Sequence, residues 1–377
     1  MTDTEPAKGV RLTDEQRLAW LRLIRSERVG PATFRTLINQ YGTATAALAA
    51  LPGLARRGGS SGGGSIFSHN EAEAEIRAAE RAGARFVGMG EPDYPSWLRQ
   101  ADQPPPLIAL RGAAAPLARP IIAIVGSRNA SIAGLKIAGT LARDLGAAGF
   151  TIVSGLARGI DAAAHKGALD TGTIAVFAGG VDIVYPAENE DLFAMILDSG
   201  GCAISEMAMG FEPRGRDFPR RNRIIAGISL GTIVVEAAKR SGSLITARLA
   251  LEQNREVMAV PGSPLDPRAA GTNGLLKQGA RIVTQAKDVM EALSPLIEDL
   301  PEIPGMIAES ETDAPPPTEP DNSDRGRVLE GLGPVPTEID EIIRHTAVPA
   351  RTVRVILLEL DLAGKLEHHP GNRVSRI

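Results

Sequence analysis

Aromatic side chains make up only 3% of this 377-residue chain, so any core must be built from Ala, Leu, Ile and Val. Cysteine is scarcer still. The single Cys202 excludes an intramolecular disulfide, and no CxxC pair offers zinc a footing, which suits a reducing compartment. No apolar run approaches the roughly 18 residues of a membrane span. The opening MTDTEPAKGVRLTDEQ has no apolar signal-peptide stretch. The expectation is a cytoplasmic protein with no membrane partner. Neither GxxxxGK[ST] nor GxGxxG occurs, so ATP and NAD are not indicated and no cofactor is expected. The histidines (His69, His165, His345, His368, His369) are scattered and suggest no metal site.

Hydrophobic residues at 43% and charged residues at 23% are ordinary for a globular protein, and the length suits two or three domains. The net charge of −4 argues against nucleic acid only if it is spread evenly. It is not: acidic residues crowd Glu298 to Asp324, and arginines crowd Arg214 to Arg223.

Thr13 to Leu51 reads as short helices, with Thr13 and Gln16 placed for a capping box and Leu18, Leu21 and Ile24 at helical spacing. Arg28-Val29-Gly30-Pro31 interrupts them. The simplest reading is a helical packing module; the alternative is a helix–hairpin–helix-like turn whose Gly30 backbone meets a phosphate. The segment Arg56 to Ser65 (RRGGSSGGGS) is a flexible connector or surface loop. Arg85 to Met89 and Leu107 to Leu110 are strand candidates.

From Pro120, short β-branched runs alternate with helical sequence: 121–126, 151–155, 173–180, 202–206, 232–237 and 257–262. Arg281 to Thr284 adds a short strand and Ala286 to Leu293 a last helix. This alternation predicts a parallel sheet with helices on both faces. Residues 301–323, rich in Pro, Glu and Asp, read as a linker. Three helical segments (Arg325 to Gly331, Thr337 to Thr346, Ala350 to Ala363) then precede a hairpin over Leu366 to Ile377, which describes a winged helix. The expected segments are 1–84, 85–300, 301–323 and 324–377.

Ligands of open parallel sheets sit beyond the carboxyl ends of the strands. Gly126-Ser127-Arg128 follows the first strand of the alternation, and Ser154-Gly155-Leu156-Ala157-Arg158-Gly159 follows the second. Each joins small residues and an arginine to a helix start, where free amides attract phosphate. Asp161 is read as a helix N-cap or a ligand, and His165 as structural, within reach of Asp161. Between Phe211 and Ile225, five arginines face Glu212 and Asp217, a local charge of +3, with Phe218 embedded among them. A base stacked on Phe218 with arginines on the flanking phosphates fits that pattern. Glu206 and Glu236 end strands at the same edge. With no nucleophile or metal beside them, they are expected to orient arginines or amides rather than catalyse.

These blocks resemble the DprA/Smf family of DNA-processing proteins. The resemblance is carried by Tyr94-Pro95, Pro104-Pro105-Pro106, IAIVGSR (122–128), IVSGLARGIDAAAH (152–165), YPAEN (185–189), ISE (204–206), FPRRNRIIAG (218–227), VEAAKRSGSLITA (235–247), AVPG (259–262) and Gly279-Ala280. It implies an α/β fold: an extended Rossmann-like parallel sheet with an N-terminal helical SAM-like domain and a C-terminal winged helix. It also implies a non-enzymatic, homodimeric protein that binds and protects single-stranded DNA in natural transformation. Such a protein displaces single-strand-binding protein and loads RecA recombinase. Carried over by motif, phosphate contacts fall on Gly126, Ser127, Arg128, Ser154, Gly155, Arg158, Asn222 and Arg223, with Arg220 in the same cluster and Phe218 on a base.

Two rival readings stand beside this one. The first is a nucleoside-monophosphate phosphoribohydrolase of the lysine-decarboxylase-like group, whose PGGxGTxxE is matched only in part by Ser229 to Glu236, without the PGG. The second is a duplex-reading transcription regulator, which the acidic residues of the winged helix (Glu338, Asp340, Glu341, Glu359, Asp361) disfavour.

Overall fold

A computed structural model describes residues 11–59, 64–298, 319–369 and 371–377. The described residues form two compact units, one drawn from Arg11 and residues 75–306 and the other joining 12–74 to 307–377. Most of the linker read at 301–323 lies outside the described residues, as do Ser60–Gly63 of the glycine-rich segment and Pro370 of the hairpin turn. At the linker's end, Asp321 caps a helix that begins at Asn322.

The chain begins with α1 (Asp14–Arg25), α2 (Pro31–Tyr41) and α3 (Ala44–Arg57). Thr13 and Gln16 form the capping box that their spacing predicted. Trp20 meets Phe34 edge-on, with centroids 5.0 Å apart and both side chains buried. In sequence, α4 (His69–Arg81) leads into the α/β unit.

That unit contains β1 (Ala84–Gly88), α5 (Ser96–Arg99), β2 (Leu107–Gly112), β3 (Ile121–Gly126), α6 (Ile132–Ala147), β4 (Thr151–Ser154), α7 (Ile160–Gly167) and β5 (Thr173–Val176). It continues with α8 (Glu190–Asp198), β6 (Cys202–Ser205), α9 (Asp217–Ile228), β7 (Gly231–Val235), α10 (Gly242–Glu252), β8 (Glu256–Ala259), α11 (Ala270–Lys277), β9 (Arg281–Ile282) and α12 (Ala286–Glu298). The strands form one sheet in the order β1-β2-β6-β5-β4-β3-β7-β8-β9. From β6 to β9 neighbours are parallel; β1–β2 and β2–β6 are antiparallel.

The central strands are buried on both faces, which is why Ile121–Val125 and Gly231–Val235 read as continuous apolar runs rather than alternating ones. Strand order reverses between β3 and β7, registered from Ile122 opposite Gly231 to Gly126 opposite Val235. Such a switch point opens a crevice at the carboxyl edge. On one side of the sheet, Ile122, Ile124, Ile152 and Ile233 pack with Leu141, Leu145, Val289 and Leu293 of α6 and α12. Near Trp97, Arg255 lies with its guanidinium carbon 4.5 Å from the indole centre.

The C-terminal segment comprises α13 (Asn322–Glu330), β10 (Thr337–Glu338), α14 (Ile339–Thr346), α15 (Ala350–Leu362), β11 (Leu366–His369) and β12 (Arg373–Arg376). Its sheet runs β10-β12-β11, and Val328, Ile342, Val353, Ile356, Leu357, Leu360 and Val374 fill its core. This is a winged helix, and it packs with α1–α3 in one unit. No described helix is long and apolar enough to cross a membrane.

Candidate nucleic-acid interface

The two arginine-bearing loops meet. Gly126 lies so close to β7 that a Cβ there would stand 1.8 Å from the Val235 carbonyl oxygen. Gly159 has φ +74° and sits against the other loop, with the next residue's amide donating to the Ser127 carbonyl at 3.1 Å. Both glycines are therefore required by close backbone approach. Ser131 caps α6 by accepting from the Gly134 amide at 2.9 Å. Its own amide and hydroxyl donate to Glu236, a residue held at φ +51° just past β7. Glu236 thus fixes the first loop, as its position at a strand end suggested.

The second loop departs from expectation. The Asp161 carboxylate accepts from the amides of Gly155 at 3.1 Å and Ala157 at 3.4 Å. Burial raises the Asp161 pKa, and the Arg221 charge opposes that shift. Gly155 is thus no open phosphate donor, and Gly159, not Asp161, is the N-cap of α7. The Ser154 hydroxyl is fully buried and donates to the Ile124 carbonyl at 2.6 Å, so it braces two strands instead of facing a ligand. His165 is structural as read, but its Nδ1 pairs with the Thr173 hydroxyl at 2.8 Å and not with Asp161. Burial, with a contribution from Arg221, pulls its pKa down to about 3.

Phe218, on the first turn of α9, anchors an aromatic and cationic cluster. Arg128 lies 5.3 Å and Arg221 5.9 Å from its ring centre, and the Tyr185 ring lies 5.3 Å away. Arg221 is only 5% exposed, yet its Nε has no hydrogen-bond partner among the described residues. One terminal nitrogen donates to the Val176 carbonyl at 2.9 Å. Gly155 makes room for that guanidinium, since a Cβ there would stand 1.8 Å from Nη1. Burial lowers the Arg221 pKa to about 10, with Asp161 opposing, so it stays charged near neutrality. Arg128, Gly155, Ala157, Arg158, Tyr185, Pro186, Phe218 and Arg221 line one pocket here. Arg158 reaches it from the exposed side while pairing Glu188 at 3.1 Å.

The arginine run on α9 does not act as a single open cluster. Glu206, buried just past β6, binds Arg220 at 2.9 Å and also pairs with Arg223. Arg223 further donates to the Gln103 carbonyl at 2.8 Å, and Asn222 reaches the Gly242 carbonyl at 3.5 Å. The positive charge expected on Arg220 and Arg223 is therefore partly neutralised. Of the expected contacts, Arg128, Gly155, Arg158 and Phe218 share the pocket, with Gly126 and Ser127 in the adjoining loop. Arg221 and Tyr185 were not singled out as site residues. Arg221 is hidden inside a run of like residues, and Tyr185 stands out in the sequence only as part of YPAEN.

Fold and site define a Rossmann-type α/β protein with a cationic, aromatic-lined pocket at the carboxyl rim of its sheet. The chain belongs to the DprA/Smf family. The family model for DNA recombination-mediator protein A matches residues 85–294, that for a DprA-like N-terminal HHH domain residues 14–78, and that for a DprA winged helix domain residues 312–372. Protein Smf of Escherichia coli is 36% identical over 314 residues, covering 82% of each chain. DNA processing protein DprA of Bacillus subtilis is 40% identical over 221 residues, 58% of this chain and 74% of the relative. The X-ray structure of Streptococcus pneumoniae DprA matches with a TM-score of 0.55 at 38% identity, covering 59% of this chain and 77% of that one. A Helicobacter pylori DprA structure, reported for its single-stranded DNA binding mode, matches with a TM-score of 0.51 at 28% identity. That match covers 57% of this chain and 98% of the other.

Proposed function

We propose that this chain binds single-stranded DNA across the rim that carries Arg128, Arg158, Phe218 and Arg221, and that it acts by binding and not by catalysis. The observation that carries the reading is Phe218 set among Arg128, Arg221 and Tyr185. An aromatic face accepts any base by stacking, and the flanking guanidinium groups attract phosphate without reading sequence. The Helicobacter pylori relative's reported binding mode supports the same ligand. The two strand-end carboxylates offer little to a rival hydrolase, because Glu206 is taken up by Arg220 and Arg223 and Glu236 by Ser131. On the family resemblance, the proposal extends to protection of incoming strands in transformation. It further includes displacement of single-strand-binding protein, delivery to RecA recombinase, and action as a homodimer.

Fluorescence anisotropy with single-stranded and duplex oligonucleotides across a salt series tests the binding claim. The single strand should bind more tightly, and Arg128→Ala should flatten the slope of log affinity against log salt by about 0.7, the value for one phosphate on a single strand. Equal affinity for both forms, or an unchanged slope, would count against the grip described here. Release of free base from nucleoside monophosphates would instead favour the phosphoribohydrolase reading.

A further inference from the structure

The winged helix holds a feature at odds with reading duplex DNA. In a helix-turn-helix, one face of the second helix packs on its own core and the opposite face enters the major groove. On α15 the inward stripe is Val353, Ile356, Leu357 and Leu360, all in the winged-helix core. On the opposite side, Val355, the adjacent pair Leu358 and Glu359, and Leu362 are spaced by three or four residues from one level to the next, and they too are buried. A helix apolar on both faces needs cover on both.

The cover on the outer face comes from the N-terminal helices of the same unit. Glu359, with its side chain 2% exposed, accepts from Arg57 of α3 at 2.7 Å and from Arg325 of α13 at 3.0 Å. Thr33 of α2 donates to Asp361 at 2.9 Å. Gly58, the C-cap of α3, lies against the α15 backbone, where a Cβ would stand 1.9 Å from the Glu359 carbonyl oxygen.

We propose that the outer face of α15 is a docking face for α2 and α3, latching the two ends of the chain together. It is thereby unavailable to a DNA groove. Carboxylates at Glu359 and Asp361 would repel phosphate, whereas they suit Arg57 and Thr33. The apolar stripe predicts a latch that survives salt, since screening weakens ion pairs and not apolar burial.

The test uses the full chain with a site-specific protease sequence placed between residues 301 and 318. After cleavage, gel filtration should return both pieces in one peak at low and at high salt. The peak should stay intact when a mixed-sequence duplex oligonucleotide is added. Leu358→Asp should release the C-terminal piece. Arg57→Glu should do the same while leaving the winged-helix sequence untouched, so release cannot be ascribed to its misfolding. Separation of the unaltered pieces, displacement by duplex, or co-elution that persists in both variants would each overturn the proposal.

Discussion

Two buried carboxylates in this molecule each gather two arginines, and they do so to different ends. Glu206, at the rim of the large sheet, takes Arg220 and Arg223, both from α9 and only 14 and 17 residues away. Glu359, on α15, takes Arg325 of α13 and Arg57 of α3, the latter 302 residues distant in sequence. The first pairing is local and half open, with the Arg220 side chain 50% exposed. It diverts two charges of one helix to the side, while Arg221 between them turns inward to the pocket. The second lies within a buried, largely apolar helix face and joins segments far apart in the chain. The same ions thus tune a binding surface in one place and build a fold in the other.

The widest separation of the two roles is expected from Glu359→Ala. Removing one partner of a buried ion pair costs about 3–5 kcal/mol, and the lower figure applies because both arginines keep some solvent. Thermal unfolding should show the unit of the two end segments melting earlier, while single-strand affinity stays unchanged. Loss of both together would blur the distinction.

Phe218→Ala comes next. It should weaken single-strand binding by about 1–3 kcal/mol with no change in salt slope. Unaltered affinity at fixed salt would remove the ring from the interface.

Buried between α7 and the start of β5, His165 offers a pH-dependent measure of the stability of the α/β unit. Its folded pKa of about 3 lies below the ordinary value near 6.5, chiefly because of burial. The fold binds the neutral ring, so this contribution is fully present above pH 6.5 and is lost as pH falls toward 3. The loss approaches about 1.4 kcal/mol per pH unit. Denaturant titrations at several pH values should show that acid slope shrinking in His165→Gln.

The smallest effect, and the one most specific to the comparison, belongs to Glu206→Gln. Freeing Arg220 and Arg223 should tighten single-strand binding at low salt and steepen the slope by up to about 0.7 for each arginine that gains a phosphate. Weaker binding would mean that Glu206 positions these side chains productively.

Much of the fold was legible in the sequence because its signals are local. Runs such as IIAIVG and TIVVEA could only be buried strands once helical sequence separated them, and Thr13 with Gln16 announced a cap. Family blocks extended that reading to the pocket. What escaped depends on partners remote in sequence. Nothing near Arg220 or Arg223 marks Glu206 as their acceptor, and Ser154 looks like a phosphate hydroxyl until the neighbouring strand's carbonyl is seen to claim it. Arg221 is indistinguishable from Arg220 in a run of arginines, since only helical phase and the space left by Gly155 send it inward. The double apolar phase of α15 was present in its residues, but single-stripe patterning was enough to name a helix.

Scarcity of aromatics has a practical consequence. The chain has two tryptophans, and each compact unit holds one: Trp20, buried against Phe34, in the unit of the end segments, and Trp97, stacked under Arg255, in the α/β unit. Replacing either by phenylalanine leaves a single indole emitter whose spectrum follows the opening of one unit alone. Whether the halves of this protein denature in concert or in succession can therefore be read from intrinsic fluorescence, without an added dye.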